Sequence, residues 1–250
     1  LKYVYYYDTI QSLSQDQRFP EMNTEQRAKE IMRIHGLDSN IFLRPEQIRE
    51  QIDLSGEKNM FVRLLERENG EKTFLRVFDD MLHHPGEAEI TAAFKRIAME
   101  LPTVGFLIGH GERDINRTGD REYSGFALEK KFRYALINQG FDVLNVSLTD
   151  EIPDNIKILV IAEMKEPLTE TEEINLEHYI ARGGNLFITC EPKRSEVMNI
   201  LLEKFGVRLV AGTLVQLTEN FSPDLIVAKP SQEATKLNYY FDEMKQNNRS

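Results

Sequence analysis

Three groups of residues in this chain could do chemistry, and each follows directly on an apolar run. VGFLI (104–108) leads into Gly109, His110, Gly111, Glu112 and Arg113; IKILVIA (156–162) leads into Glu163; NLFIT (185–189) leads into Cys190 and Glu191. One chemistry is nucleophilic. Cysteine hydrolases of α/β type carry their nucleophile at a strand end, and His110 or His178 could serve as base. The flanks of Cys190, ITCEP, lack the glycines of a strained elbow, and the neighbouring Glu191 opposes a thiolate. A small core side chain is the simpler reading of Cys190.

A second chemistry is phosphate binding, through backbone amides freed by Gly109 and Gly111. It requires a helix to begin at once, so that its N-terminus meets the anion. Here the helix is expected only near Ser124, the third glycine of a dinucleotide fingerprint is missing, and Glu112 and Asp114 carry charge of the wrong sign. A third chemistry is metal ligation. Residues two apart on an extended segment point the same way, so His110 and Glu112 could share an ion. A third ligand would have to come from Glu163 or Glu191. The alternative is a histidine that hydrogen-bonds backbone groups to fix the loop. That reading is preferred, and no metal, cofactor or catalytic residue is expected.

These loops need strands and helices to hold them. TVGFLIG and IKILVIA are continuous apolar runs, the pattern of strands buried on both faces of a parallel sheet, with FDVLNVSL and NLFITC as further strands. Between them, SGFALEKKFRYALINQG reads as one helix ending at Gly140, with Leu128, Phe132 and Leu136 on a face. LTETEEINLEHYIARGG opens on a capping box, Thr169 with Glu172, and stops at Gly183-Gly184. SEVMNILLEKFG is a helix ending at Gly206, and VRLVAG reads as another strand. Alternating strands and helices imply an α/β sheet whose ligand-facing edge lies beyond the strand C-termini. Glu112, Glu163 and Glu191 are expected along that rim. The polar loop RDINRTGDREYSG suits a lid or a partner-binding segment.

The first hundred residues read as a separate unit. KYVYYY is strand-like, NTEQRAKEIMRIHG a helix closed by Gly36, SNIFL a weak strand, and PEQIREQID a helix begun by proline. MFVRLLER and KTFLRVF flank Asn69-Gly70, a hairpin signature. HHPG is a turn before GEAEITAAFKRIAM, a helix with Ile90, Phe94, Ile97 and Ala98 on its core face. The aromatic stretches YVYYY and NYY fit a strand face or a buried edge. The order β-α-β-α-β-β-α is that of a thioredoxin-like domain, here without redox cysteines. The expected domains are therefore 1–100, thioredoxin-like, and 101–250, Rossmann-like.

Composition narrows the function classes. The 250 residues include 31 Lys+Arg against 41 Asp+Glu, a formal net charge of -10. That excess of acid, without a basic patch, makes nucleic acid an unexpected partner. The single cysteine rules out an internal disulfide and a CxxC site. No apolar run has the length of a membrane span, and no signal peptide is evident. The chain starts LKYVYYYDT, without an initiator methionine, and ends FDEMKQNNRS, so a fragment of a longer protein is expected.

Gly109–Glu112, Pro167–Glu172 and Gly183–Leu186 occur in the order in which a known family carries its marks: a Gly-His-Gly-Glu loop, a Pro-Leu-Thr/Ser…Glu helix entry, and Gly-Gly-Asn-Leu before a strand. The second half thus resembles the extracytoplasmic auxiliary domain of ABC-type transporters, a group that includes the gliding-motility-associated GldG-like component. The Asp-Pro that often follows that strand is Glu191-Pro192 here. The resemblance implies a Rossmann-like fold similar to glutamine amidotransferases but without their catalytic set. It implies an extracytoplasmic, periplasmic address, with tethering spans elsewhere in the parent chain. The expected function is a non-enzymatic accessory or binding domain of a transport or gliding-motility complex. Its partners would be membrane and ATP-binding subunits, and an extracytoplasmic substrate, met through Gly109, His110, Gly111, Glu112, Arg113, Glu163 and Glu191. The rival is a hydrolase-like enzyme acting through the same loops.

Overall fold

A computed structural model describes residues 3–9, 18–219 and 221–247. Its contacts divide the chain into two compact units. One comprises Leu1–Ala162 with Leu168–Ile188, and the other Glu163–Pro167 with Thr189–Ser250.

The N-terminal part of the first unit has the expected order of elements: β1 (Tyr5–Tyr6), α1 (Thr24–Ile34), β2 (Phe42–Leu43), α2 (Pro45–Gln51), β3 (Arg63–Glu66), β4 (Lys72–Leu75) and α3 (Glu87–Arg96). β1 pairs with β2 in parallel and β3 with β4 antiparallel. Among the described residues these are two separate two-stranded sheets, not the single sheet of a thioredoxin fold. Helix α1 starts where Asn23 and Gln26 form a reciprocal capping box. The hairpin turns at Asn69-Gly70, with Gly70 at φ 88°. Helix α3 buries Glu89, Ala92 and Ala93, and Ile97 just after it is buried too, while Phe94, expected on the core face, is 55% exposed. The face rotates because Glu89 is drawn inward. It accepts from the Gly86 N–H at 2.7 Å and from Arg133 Nη1 at 2.7 Å.

The central sheet of the unit contains β5 (Thr103–Leu107), β6 (Asp142–Val146), β7 (Ile156–Ala162) and β8 (Asn185–Thr189), in the order β6-β5-β7-β8. β5 pairs in parallel with both β6 and β7. The architecture is the expected Rossmann-like parallel sheet. Because the chain leaves β5 for one side and returns to the other, a topological switch point lies between β5 and β7. All five residues of β5 are buried. Val104, Phe106, Val160 and Ala162 share one cluster with Ile115 and Ala127, and Tyr123, Leu128 and Leu136 pack against it. Full burial of a side chain such as Val104, Phe106, Ile115 or Val160 contributes about 1.5–3 kcal/mol.

Helix α4 is only Ser124–Leu128, followed by turns and a 3₁₀ stretch at Leu136–Asn138. This corrects the single long helix expected there. The physical reason is a competing set of partners. The Asn138 amide donates to the carbonyls of Glu129, Lys130 and Phe132, which a helix would have used itself. Arg133 bonds Asp80, Glu89 and the His84 carbonyl, partners far from it in the chain.

Helix α5 (Glu170–Ala181) begins at the Thr169 cap as expected and ends at Gly183, which takes φ 89°. Gly184 is needed for a different reason: a Cβ there would lie 2.3 Å from the Tyr179 ring. That close approach lets the Tyr179 hydroxyl donate to the Asn185 carbonyl at 3.0 Å, locking helix to strand.

The second unit carries α6 (Ser195–Leu202), α7 (Gln232–Leu237) and α8 (Tyr239–Gln246). The strand expected at VRLVAG is not formed. The Asn199 side chain takes both backbone groups of Leu209, accepting its N–H at 2.7 Å and donating to its carbonyl at 3.1 Å. The NYY aromatics lie at the start of α8, where Tyr239 and Tyr240 are exposed rather than on a buried edge.

Candidate functional site

The loop after β5 is built around His110. Two glycines let the chain double back after Ile108: Gly109 takes φ 124° and Gly111 φ 75°, conformations that side chains rarely adopt. The turn buries His110, whose side chain is 6% exposed, and folds Glu112 beneath it, with a side chain 2% exposed. Glu112 accepts the His110 backbone N–H at 2.8 Å and faces its Nδ1 at 3.0 Å. The other ring nitrogen, Nε2, meets Glu172 Oε2 at 3.1 Å. Carboxylates are acceptors, so a ring nitrogen that carries a proton donates to the carboxylate it faces. The Arg113 N–H donates to the Ala162 carbonyl at 3.3 Å, stitching the loop to the end of β7.

Glu172 links this loop to the start of α5. Its Oε2 also accepts the Thr169 N–H at 2.8 Å and the Thr169 hydroxyl at 2.7 Å. Burial pushes its carboxyl up, but the Thr169 donors and His110 pull it down by more, leaving it below the ordinary glutamate value. Glu172 was read in the sequence only as a helix cap. The available signal was its place: a capping-box carboxylate at the helix entry following the β7 strand end, near the same sheet edge.

Beyond Arg113 the chain folds back on itself. Tyr123 N–H donates to the Asp114 carbonyl at 3.0 Å, and Asp114 N–H to Glu122 Oε2 at 2.7 Å. The Arg113 guanidinium lies 5.9 Å from the Tyr123 ring centroid. Ile115 is buried beneath the fold-back. The polar loop is therefore closed at its base by backbone and side-chain bonds.

The second unit holds its own acid cluster. Glu163 is buried and adopts φ 55°, a strained backbone for a residue with a side chain, and its N–H donates to the Thr189 carbonyl at 2.9 Å. Lys193 lies 3.6 Å from Glu163 and pairs with Glu191 as well. Cys190 is half-buried; burial first, then the charge of Glu163, pushes its thiol above the usual cysteine value. The repelling carboxylate is Glu163 rather than the expected Glu191.

Of the predicted site residues, the structure thus brings His110 and Glu112 together, adds Glu172, and separately gathers Glu163 and Glu191 on Lys193. Among the described residues no group of three or more His, Cys, Asp or Glu is arranged to hold a metal ion. No helix of the described residues is long and apolar enough to cross a membrane.

No curated protein and no solved structure matches the chain. A family model described as ABC-type uncharacterized transport system matches residues 101–250, which include β5 to β8, the His110 loop and the Glu163 cluster. On that match the chain belongs to the auxiliary family of ABC-type transport systems.

Proposed function

We propose that the chain is a non-enzymatic, extracytoplasmic accessory domain of an ABC-type membrane complex, serving transport or gliding motility. It binds the membrane and ATP-binding subunits, or an extracytoplasmic substrate, through strand-end loops. The observation that carries this reading is the disposition of His110. A hydrolase of this fold needs a base within reach of a nucleophile or of a substrate proton. Both nitrogens of His110 instead face carboxylates of the protein itself, at 3.0 and 3.1 Å. Cys190 is held towards its neutral thiol by burial and by Glu163. Family membership supports the accessory role.

His110 and Glu112 then shape the first loop from within, Gly109 and Gly111 form its exposed part, and Arg113 is half-buried beside them. In the second unit Glu191 and Lys193, the latter also near buried Glu163, offer a mixed-charge surface. The test is co-purification of the tagged chain with ATP-binding and membrane subunits encoded beside it. Capture that Arg113→Glu weakens supports the reading. Absence of capture, together with hydrolysis of ester or amide substrates that His110→Gln abolishes, supports the hydrolase instead.

A further inference from the structure

A cavity of about 200 Å³ opens in the first unit where the β3–β4 hairpin comes apart. The ladder ends at the Arg63–Leu75 pair. The residues that would continue it, Phe61 and Val62 on one side and Arg76 and Val77 on the other, line the cavity instead. Met60 completes an apolar wall with them.

The opposite character comes from a buried ion cluster. Glu57, with a side chain 5% exposed, accepts from Arg76 Nε at 2.7 Å, Arg76 Nη2 at 2.8 Å and Lys130 Nζ at 2.9 Å. Lys130 also bonds the Gly56 carbonyl. One carboxylate therefore anchors two cations. Each keeps donors beyond its observed bonds, since Arg offers five N–H groups and Lys three. Lys131 and Asp79 add an exposed pair at 3.3 Å. Counting Arg76, Lys130 and Lys131 against Glu57 and Asp79, the lining carries one net positive charge in a chain of net charge -10.

The loop that shapes this wall is strained and firmly held. Lys58 and Asn59 are consecutive non-glycine residues at φ 54° and 55°. The Tyr6 hydroxyl lies within 3.2 Å of the Asn59 carbonyl and 3.0 Å of the Met60 carbonyl, and the Asn59 amide donates to the Thr9 carbonyl at 3.0 Å. Strain persists where surrounding contacts over-determine it, and it concentrates at binding sites. Here it sets Met60 and Phe61 against the cation pair.

We propose that this cavity binds a small organic anion with an apolar body, its charge on Arg76, Lys130 and Lys131 and its body against Met60, Phe61 and Val77. The site is independent of the strand-end loops. The test is an amide NMR titration of the whole chain with sodium benzoate, alongside benzamide, benzylammonium and inorganic phosphate. Benzoate should give saturable shifts confined to residues 60–62, 76–79 and 130–131. Benzamide, which keeps the ring and loses the charge, should bind weaker by about tenfold or more. Phosphate should bind weaker by a similar factor for want of an apolar body.

Two variants keep the test independent of folding. Lys131→Glu changes an exposed side chain, and Val77→Phe fills the cavity; both should weaken benzoate while circular dichroism stays unchanged. The proposal is overturned if benzoate gives no saturable shift or shifts elsewhere. Equal binding of benzamide, benzylammonium or phosphate would also overturn it, as would benzoate binding that both folded variants leave intact.

Discussion

The loop after β5 and the acid cluster of the second unit hold similar residues and use them in opposite ways. In the first, the His110, Glu112 and Glu172 side chains are 6%, 2% and 10% exposed, and each bonds another member of the group. In the second, Glu163 is buried, but Lys193 is 46% and Glu191 32% exposed, so solvent reaches them. The difference teaches that the more reactive-looking set makes its bonds with its own members. Charges buried against one another fix geometry, whereas charges left at the surface remain available for recognition at low energetic cost.

The largest expected effect tests the buried side of that contrast. His110→Ala leaves two buried carboxylates without their shared donor and should destabilise the first unit by about 3 kcal/mol or more, measured by urea unfolding. A loss under about 0.5 kcal/mol would place the cluster with ordinary surface pairs.

Acid should separate the regions next. The Glu172 carboxyl lies below its ordinary value in the folded chain, so its contribution is present above the unfolded glutamate value and lost as pH falls through the folded one. Glu57 behaves alike. Burial raises it, but Arg76 and Lys130 lower it by more. Thermal melts should therefore weaken below about pH 4.3, and Glu172→Gln should flatten part of that limb. An unchanged acid limb in the variant would show that Glu172 is not part of it.

A smaller effect concerns the thiol. Cys190 should react slowly with iodoacetamide near neutral pH, and Glu163→Gln should speed it by removing a repelling charge. A rate unmoved by the substitution would mean that burial alone governs the thiol. The smallest effect is expected at Lys193→Ala. It should shift stability by no more than about 0.5 kcal/mol, yet weaken capture of the membrane and ATP-binding subunits. A large loss of stability there would make the second cluster a scaffold.

What could be read in the sequence follows from which forces are local. The buried strands β5 and β7 show as nearly unbroken apolar runs, and the caps at Asn23 and Thr169 depend on neighbours three residues away, so period and spacing reveal them. Helix 124–140 was misread because its breaking agents are distant. Arg133 is claimed by Asp80 and Glu89, more than forty positions earlier in the chain. The same claim on Glu89 turned the α3 face and exposed Phe94. At the site, a spacing of two residues set His110 and Glu112 on the same side, but as ligands that could share an ion rather than as partners of each other. The third member was not legible, because Glu172 lies 62 positions away and its local role as a cap fully accounted for it. Side chains that serve two partners at once conceal the farther one.

A double-mutant cycle between His110→Gln and Glu172→Gln, read by equilibrium unfolding, isolates the bond on which this contrast depends. A buried, charge-assisted clamp predicts a coupling of about 1.5 kcal/mol or more, with amides of residues 109–114 and of the first turn of α5 losing exchange protection together. A coupling near zero, with both segments as protected as before, would contradict it.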